Sequence, residues 1–279
     1  MRYDLHLHSY YSDGTLAPAA LIERARTAGV DVMALTDHDC LDGLAEAQAA
    51  VQIAGMRLVP GVEISVTWNT MTIHILGLGV DANHAALKQG LAQLAERRHE
   101  RAKEISRKLE KRRIYGAYEG VRRLVQGNII GRAHFAQFLV REGYVSEARL
   151  AFKQYLLRGA AAYVSAQWAT LDEAIGWIHA AGGQSVIAHP TRYKISNGKL
   201  RELTLDFKNS GGDAIEVACG GQTAQESARA GALAKEFGLL ASAGSDYHGP
   251  ETSWLTPGKF PPIPEDCTPI WHDWPKLAS

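Results

Sequence analysis

The sequence predicts an α/β fold in which a parallel sheet or barrel is interrupted by a helical segment. Three observations lead to this prediction. Short apolar runs typical of buried strands alternate with stretches of helical spacing, in the first eighty residues and again after residue 162. Polar side chains gather where these runs end, as in parallel sheets and barrels, whose sites lie at the carboxyl ends of the strands. Between residues 85 and 162 the spacing is helical only.

The first strand lies within the stretch Tyr3–Gly14 and carries two histidines. His6 and His8 alternate with leucines, so both imidazoles lie on one face of the strand and the leucines on the other. Neutral imidazole is the commonest metal ligand, and Asp13 beyond the strand offers an oxygen. The alternative for an isolated His-x-His is a surface pair on an edge strand, so the later positions must decide.

The following elements continue the alternation to residue 84. Apolar spacing predicts helices over Leu16–Ala28 and Leu41–Ala54, and strands over Val30–Thr36, Met56–Val59 and Thr72–Leu78. Polar residues again lie within or just beyond the strands. They are Asp37, His38, Asp39, Glu63 and His74.

A long amphipathic helix over Ala86–Arg113 begins the helical segment. One face is an apolar stripe, and the other holds arginine and lysine among glutamates. Such a face is typical of a solvated surface with ion pairs one turn apart. The alternative is that Arg98 or Arg101 leans toward an anionic substrate, and the sequence leaves the role of this face, which also includes Arg97, open.

Further helical stretches over His134–Glu142 and Ser146–Leu157 continue this segment. We therefore predict a helical insertion over residues 85–162 that caps the site, with the barrel formed by residues 1–84 and 163–279. In the second part of the barrel, predicted helices alternate with predicted strands. The helices are Leu171–Ala181, Leu200–Ser210 and Ala224–Phe237, and the strands are Gln184–Ala188, Ala214–Ala218 and Leu239–Ala243.

Composition and charge argue against several classes of protein. The formal net charge is zero, so no overall field draws the chain to long nucleic acid or to anionic lipid. No run approaches the roughly 20 apolar residues of a membrane span. The three cysteines are scattered without a Cys-x-x-Cys pair, which argues against a disulfide framework and a thiolate zinc site. We expect a soluble cytoplasmic protein with no membrane partner.

The polar residues at strand ends and in the helical segment include seven of the eleven histidines. Each alone has an ordinary explanation, such as a loop position for His38 or a hydrogen-bonded core position for His74. Burying all of them without a cation would cost several kcal/mol of hydration each. Nitrogen and oxygen ligands without thiolate suit zinc, manganese or iron. The set is His6, His8, Asp13, Asp37, His38, Asp39, Glu63, His74, His134, His189, Asp246 and His248.

The motifs around these residues resemble those of the PHP (polymerase and histidinol phosphatase) superfamily. In chain order they are His6-x-His8, Thr36-Asp37-His38-Asp39, Gly61-Val62-Glu63, His74, His134, Ala188-His189-Pro190 and Gly244-Ser245-Asp246-x-His248. They span nearly the whole chain, and several motifs in the right order are far more specific than any one. The resemblance implies a distorted (β/α)7 barrel with a trinuclear metal centre at the carboxyl end.

The resemblance also implies which residues hold three divalent ions, with Mn²⁺ expected first and Zn²⁺ or Fe²⁺ as alternatives. The first ion has the ligands His6, His8, Glu63 and Asp246. Glu63 bridges to a second ion, which is held also by His74 and His134. The third ion has the ligands Asp13, His38 and His248, and Asp13 in place of the usual histidine favours a harder ion such as Mn²⁺. Asp37 and Asp39 are expected to orient imidazole N–H groups.

Close metal ions suit phosphoester hydrolysis because they lower the pKa of a shared water to about 7 and stabilise charge on the attacking and leaving oxygens. Arg132 and Arg192 stand beside ligand-like histidines, and guanidinium binds phosphate in a bidentate manner. His189 is not needed as a ligand, so it is expected to contact the phosphate or to protonate the leaving alkoxide. These three residues are the predicted catalytic and phosphate-contacting groups.

Within the superfamily the chain resembles the nucleoside 3′,5′-bisphosphate phosphatase group. The insertion after His74, Gly131-Arg132-x-His134-Phe135, Tyr163-Val164 and His189-Pro190-x-Arg192-Tyr193 carry this resemblance. It implies removal of a 3′-phosphate to leave a nucleoside 5′-monophosphate, and related members trim short RNA from its 5′ end. Two departures are Ala133, where relatives often have proline, and Cys219-Gly220-Gly221-Gln222, where they tend to have serine and histidine.

The expected partner is therefore a small nucleotide or the 5′ end of a short RNA. The alternative enzyme is a phosphatase for another small phosphomonoester such as histidinol phosphate, although the insertion and the paired arginines favour a substrate with two phosphates. A non-catalytic nucleotide sensor on the same fold would have lost ligands. Here every expected position holds histidine, aspartate or glutamate.

Overall fold

A computed structural model of the protein describes residues 1–251 and 255–274. One seven-stranded sheet has its strands in chain order. None of the helices in the described residues has the length and apolar character that a membrane crossing requires. The strands are β1 (Tyr3–Leu7), β2 (Val32–Leu35), β3 (Arg57–Trp68), β4 (Met71–Leu78), β5 (Gln184–Ile187), β6 (Ala214–Cys219) and β7 (Leu240–Gly244). The α-helices are α1 (Pro18–Thr27), α2 (Leu44–Ala54), α3 (Ala85–Glu110), α4 (Ala117–Arg122), α5 (Arg132–Arg141), α6 (Ala148–Ala151), α7 (Leu171–Ala180), α8 (Asn197–Asn209) and α9 (Ala224–Glu236).

The sheet nearly closes into a barrel because β7 lies beside β1. The N–H of His8 donates to the carbonyl of Tyr247 at 3.0 Å, and the N–H of Asp246 donates to the carbonyl of His6 at 2.8 Å. The β1–β2, β2–β3, β5–β6 and β6–β7 pairs are parallel. This α/β barrel confirms the predicted fold class, and its parallel strands carry the polar residues toward one end.

The distortion of the barrel lies at β3 and β4. The sequence predicts a short strand over Met56–Val59, but β3 continues to Trp68 and turns directly into β4, which pairs antiparallel with both β3 and β5. Asn69 adopts the left-handed conformation (φ 52°) in the turn, which asparagine tolerates better than most residues. The two strands therefore form a hairpin rather than a β/α unit, and His74 lies opposite Ser65.

Helix α3 joins two apolar clusters. In its first half, Leu87 and Leu94 belong to the cluster that covers β3, β4 and β5. In its second half, Ile105 and Leu109 belong to a separate cluster with residues of α4 and α5. This second core supports our proposal that residues 85–162 are a helical insertion. The sequence did not predict α4, since six residues give little periodic signal.

The other end of the barrel is covered by aromatic residues of the C-terminal segment. Tyr3 stacks on Trp271 with ring centroids 4.3 Å apart, and the indole N–H of Trp274 donates to Gln184 at 2.7 Å. Because Tyr3 and Gln184 are the first residues of their strands, this segment covers the end opposite the polar cluster.

Gly90→Ala is expected to destabilise the protein, and Gly176→Ala to stabilise it slightly. A Cβ at Gly90 in α3 would lie 2.4 Å from the Trp177 ring of α7, so the helices would have to separate at a cost of about 1–3 kcal/mol. A Cβ at Gly176 would meet nothing within 4 Å, so alanine there gains up to about 1 kcal/mol of helix propensity. Thermal unfolding checks both variants, and equal Tm values would contradict the close approach of the helices.

Candidate metal centre

Strand β1 fixes the first two histidines of the centre. Leu5 and Leu7 are fully buried in apolar clusters, so the alternation of the strand directs His6 and His8 to the opposite face. Other side chains reach the same region from the strands or from the loops that follow them. These are Asp13, His38, Glu63, His74, His189, Asp246 and His248.

Four donors of the first group face one another. His6 Nε2 lies 3.3 Å from both Glu63 Oε2 and Asp246 Oδ1, and His8 Nε2 lies 3.1 and 3.2 Å from the same two oxygens. Ligands about 2.1 Å from one ion are about 3.0–3.4 Å apart in octahedral or tetrahedral geometry, so the group fits a shared ion. The four side chains are buried, and these atoms have no hydrogen-bond partner within the described protein.

A second group surrounds Asp13. Its Oδ1 lies 3.1 Å from His248 Nε2 and 3.9 Å from His8 Nδ1, and its Oδ2 lies 3.7 Å from His38 Nε2. The His8 and His248 rings stack with centroids 4.1 Å apart. His8 thus presents one nitrogen to each group, which places the two groups side by side.

Glu63 connects these residues to a third group. Its Oε1 lies 3.0 Å from His74 Nδ1 and 3.0 Å from His189 Nε2, and those two nitrogens are 3.3 Å apart. Its Oε2 also lies 3.1 Å from His38 Nδ1. The two oxygens of Glu63 therefore face different histidines, as a bridging carboxylate requires.

The structure places His189 beside Glu63 and His74, and it places His134 at the start of α5. His134 is the third residue of α5, and its Nδ1 accepts a hydrogen bond from the N–H of Gly131 at 3.0 Å. Burial lowers the pKa of His134, while Asp13 and the backbone of Ser12 act in the opposite direction, so the ring also faces the loop that carries Asp13. Among the described residues, the three tightest groups of potential ligands include neither His134 nor His189. His189 lies beside Glu63 and His74, and the predicted role of His134 as a ligand stays a prediction.

The site keeps its carboxylates ionised. Burial opposes ionisation, but the surrounding imidazoles hold the pKa values of Glu63 and Asp246 well below the usual range. Burial would lower the pKa of His8, yet the carboxylates of Asp246 and Glu63 raise it to about 10. Burial lowers the pKa of His38 to about 3. Anionic carboxylates and neutral imidazoles are the forms that bind a metal ion, so an ion bound at His8 would take the place of its proton.

Asp37 fixes a loop rather than an imidazole ring. It accepts hydrogen bonds from the N–H of Ser9 at 2.7 Å and from the hydroxyls of Ser9 and Ser12, each at 2.6 Å. These contacts fold the loop that leads to Asp13. The predicted contact with an imidazole N–H is therefore replaced, because both oxygens of Asp37 are used by the loop.

Helix α3 directs two arginines toward the site. Arg98 is buried, and it donates from Nε to Asp39 at 2.7 Å and from Nη2 to the Ser65 hydroxyl at 2.9 Å. Asp39 therefore neutralises an arginine instead of orienting an imidazole as predicted. Arg101 donates to the carbonyl of Val164 at 3.0 Å and has no carboxylate partner among the described residues.

Arg101 and Arg132 form a cationic pair, and neither guanidinium makes an ion pair with a carboxylate among the described residues. Burial, with Arg132 and Arg98 nearby, lowers the pKa of Arg101 to about 9, and burial also lowers the pKa of Arg132. Two partly buried guanidiniums without an ion-pair partner suit an anion such as phosphate. They line a cavity of about 110 Å³ together with Asp13, His38 and His74.

Arg192 holds a ligand carboxylate in place. Its Nη1 contacts Oδ2 of Asp246, and its Nη2 donates to the carbonyl of Gly220 at 2.8 Å. Gln222 donates to the Thr191 hydroxyl at 2.9 Å, so the loop that departs from the family pattern anchors this segment. Oδ1 of Asp246 remains directed at the first group of ligands.

Glu216 is a site residue that the sequence analysis did not assign. Its Oε1 faces His6 Nδ1 at 3.1 Å, and its Oε2 accepts the N–H of His189 at 2.6 Å. It thereby turns Nε2 of His6 toward the other ligands, as carboxylates do at many metal sites. The available signal was a carboxylate inside the fully buried strand β6.

Comparison with known proteins agrees with this geometry. The PHP domain family matches residues 4–167, which is more than half of the chain. The chain belongs to the PHP domain family. It is 44% identical over 271 residues to 3′,5′-nucleoside bisphosphate phosphatase of Chromobacterium violaceum, covering 97% of this chain and 95% of that protein. It is 43% identical over 274 residues to the 5′-3′ exoribonuclease Rnm of Escherichia coli, covering 98% and 93%.

A solved structure is also similar over nearly its whole length. The amidohydrolase from Chromobacterium violaceum, with bound sulfate and no metal, superimposes with a TM-score of 0.92 and 43% identity, covering 98% of this chain and 95% of the other. These matches confirm the predicted family and the predicted enzyme class, a metal-dependent phosphoesterase. The three groups of ligands support divalent metal ions as cofactors of this PHP protein.

Glu216→Gln is expected to lower the metal affinity of this PHP protein about 10- to 100-fold. Glutamine keeps the size of the side chain but loses the charge that fixes His6, and its amide cannot accept from both His6 and His189. Calorimetric titration with Mn²⁺ measures the affinity directly. Glu202→Gln, an exposed substitution on α8, is the matched control. Equal affinities in both variants would contradict the role of Glu216.

Proposed function

We propose that this protein removes the 3′-phosphate of nucleoside 3′,5′-bisphosphates and leaves nucleoside 5′-monophosphates. The observation that carries the proposal is the Arg101–Arg132 pair in the same small cavity as Asp13, His38 and His74. A substrate with two phosphates can place one at the ligand groups and the other at the guanidiniums. The 44% identity to a 3′,5′-nucleoside bisphosphate phosphatase supports the proposal.

We propose sites for three divalent ions, with Mn²⁺ as the first choice. When bound, such ions supply a water of lowered pKa and stabilise charge on the phosphate oxygens. His189 serves as a ligand, and Arg192 positions Asp246, so Arg132 is the remaining phosphate contact of the three predicted. The ligands are His6, His8, Glu63 and Asp246 for the first ion, Glu63, His74, His189 and the predicted His134 for the second, and Asp13, His38 and His248 for the third.

The test is hydrolysis by the Mn²⁺-loaded protein of adenosine 3′,5′-bisphosphate, adenosine 3′-monophosphate and histidinol phosphate. We expect the highest kcat/KM for the bisphosphate. Arg132→Ala should reduce that value about 10- to 100-fold, the loss of one charge-assisted hydrogen bond, with little effect on the monophosphate. Arg141→Ala, at the exposed end of the same helix, is the control.

Three results would contradict the proposal. A preference for histidinol phosphate would favour the alternative phosphatase. Equal rates for the bisphosphate and the monophosphate would contradict the proposed binding of the second phosphate by the guanidiniums. Tight Mn²⁺ binding without hydrolysis of any ester would favour the nucleotide sensor.

A second candidate function is removal of nucleotides from the 5′ end of short RNA. The first nucleotide of a 5′-phosphorylated RNA carries a 5′-phosphate and a 3′-phosphodiester, which is the phosphate arrangement of a nucleoside 3′,5′-bisphosphate. The 43% identity to a 5′-3′ exoribonuclease favours this candidate. Release of a 5′-mononucleotide from a 5′-phosphorylated dinucleotide, compared with its 5′-hydroxyl form, tests it.

A further inference from the structure

We propose that a basic tip on the helical insertion binds the downstream strand of an RNA substrate, an inference that rests on the proposed trimming of RNA 5′ ends. The basic tip consists of residues 108–123, which include six basic and two acidic residues, whereas the whole chain has a net charge of zero. Lys111, Arg112 and Arg113 are exposed there and form no ion pair with any described residue. The protein therefore has a local positive surface although the net charge of the whole chain is zero.

The basic tip continues a row of cations that begins at the site. Arg101 Nε donates to the carbonyl of Val164, and Lys108 Nζ donates to the carbonyl of Tyr163 at 2.6 Å, so both face the same returning segment. Arg112 lies eleven positions after Arg101, which is about three full turns and therefore the same face of the helix. Its N–H donates to the carbonyl of Leu109 at 2.8 Å, which extends the last turn of α3.

Cations on the outer face of α3, in contrast, form ion pairs with neighbouring glutamates. Lys103 pairs with Glu100 at 2.6 Å, and Arg107 pairs with Glu104 at 2.6 Å. These are the ion pairs expected of a solvated face. From Arg98 onward, the cations of α3 that make no ion pair with a described residue therefore lie on the row toward the site, and the basic tip continues it.

Single-stranded RNA is the polyanion that fits this surface. Tyr115, between the basic residues of the tip, is 68% exposed, and exposed aromatic rings among cations are stacking platforms for unpaired bases. The rise of an α-helix puts Arg112 about 16 Å beyond Arg101. A stacked strand advances about 3.4 Å per nucleotide, so the tip is reached about five nucleotides downstream of the site.

The test compares Lys111→Ala/Arg112→Ala with Lys103→Ala/Arg107→Ala, a control with the same loss of charge on the outer face. Arg113 is left unchanged because its backbone is left-handed (φ 64°), so a substitution there would also alter strain. The probes are adenosine 3′,5′-bisphosphate and 5′-phosphorylated RNAs of two and about twelve nucleotides, the longer one exceeding the reach of the tip. Fluorescence anisotropy with chelator present gives RNA affinity independently of turnover.

We expect the tip variant to bind the longer RNA about tenfold more weakly. The slope of log K against the logarithm of the salt concentration should be less steep by about 1.4. The reason is that two phosphates of the single strand are no longer neutralised by the protein. Its binding of the dinucleotide and its hydrolysis of the bisphosphate should equal those of the wild type and of the control.

Equal binding of the longer RNA by both variants, or wild-type binding that does not increase with RNA length, would overturn the inference. Failure of the wild type to hydrolyse the bisphosphate would contradict the proposed function, while the binding result would still decide the role of the tip.

Discussion

Glu63→Gln is expected to abolish phosphoester hydrolysis, with kcat/KM lower by about 10³-fold or more, the upper range for removing one preorganised electrostatic group. The two oxygens of Glu63 lie within 3.0–3.3 Å of nitrogens from five histidines. Glutamine has one neutral acceptor oxygen, so it cannot connect the groups or balance the charge of two ions. The loss should be accompanied by a lower content of bound metal.

Atomic emission measures the metal content of the Glu63→Gln variant after dialysis, alongside its turnover of adenosine 3′,5′-bisphosphate. Glu236→Gln is the matched control, since Glu236 is exposed and pairs with Arg201 on the surface. We expect wild-type metal content and activity in that control. A Glu63→Gln variant that keeps both its metal and its activity would show that the carboxylate is not a bridge.

Removing divalent ions with a chelator is expected to abolish activity and also to lower Tm by about 5–10 °C. A ligand at 100 times its Kd stabilises the folded state by about 2.7 kcal/mol, and about 1 kcal/mol moves Tm by about 2–4 °C in a chain of this size. The physical reason is that the ions bind the folded arrangement of the buried Glu63 and Asp246, which the unfolded chain does not provide.

Calorimetry with and without chelator checks this expectation, and added Mn²⁺ should restore Tm and activity together. The Glu63→Gln variant provides an internal control, because a chain that binds little metal should respond weakly to the chelator. An unchanged Tm in the wild type, despite complete loss of activity, would mean that the ions contribute to catalysis without stabilising the fold.

The strand period made the first group of ligands predictable from the sequence. His6 and His8 must share a face once Leu5 and Leu7 are buried, and a carboxylate at the end of an apolar run, such as Glu63, must lie near them in a barrel. The structure brings these residues together with Asp246, which the sequence also named. Periodicity and position along the strands suffice here because the backbone is regular.

The positions of the other site residues depend on irregular backbone, which the periodicity of the sequence does not predict. Asp39, His189 and Asp246 have left-handed conformations (φ 49°, 33° and 52°) that change the direction of their side chains. His189 and His134 each stand near an arginine in the sequence, so nothing local indicates which of them lies beside Glu63 and His74. The β3–β4 hairpin was likewise not predicted, because the sequence of an apolar strand does not indicate whether it pairs parallel or antiparallel with its neighbour.

The continuity of α3 has a consequence for how this architecture can vary. Each residue added to or deleted from the helix between Leu94 and Arg101 would rotate everything beyond it by about 100° and shift it by about 1.5 Å. Arg101 would then leave the cavity although every residue of the barrel is intact. Length changes should therefore be tolerated in the return connection around Gly159, which is left-handed and has nothing within 4 Å of a Cβ, and excluded from α3. Replacing the helical insertion of this barrel by another one therefore requires a junction that keeps the rotation of the residues about the axis of α3 unchanged.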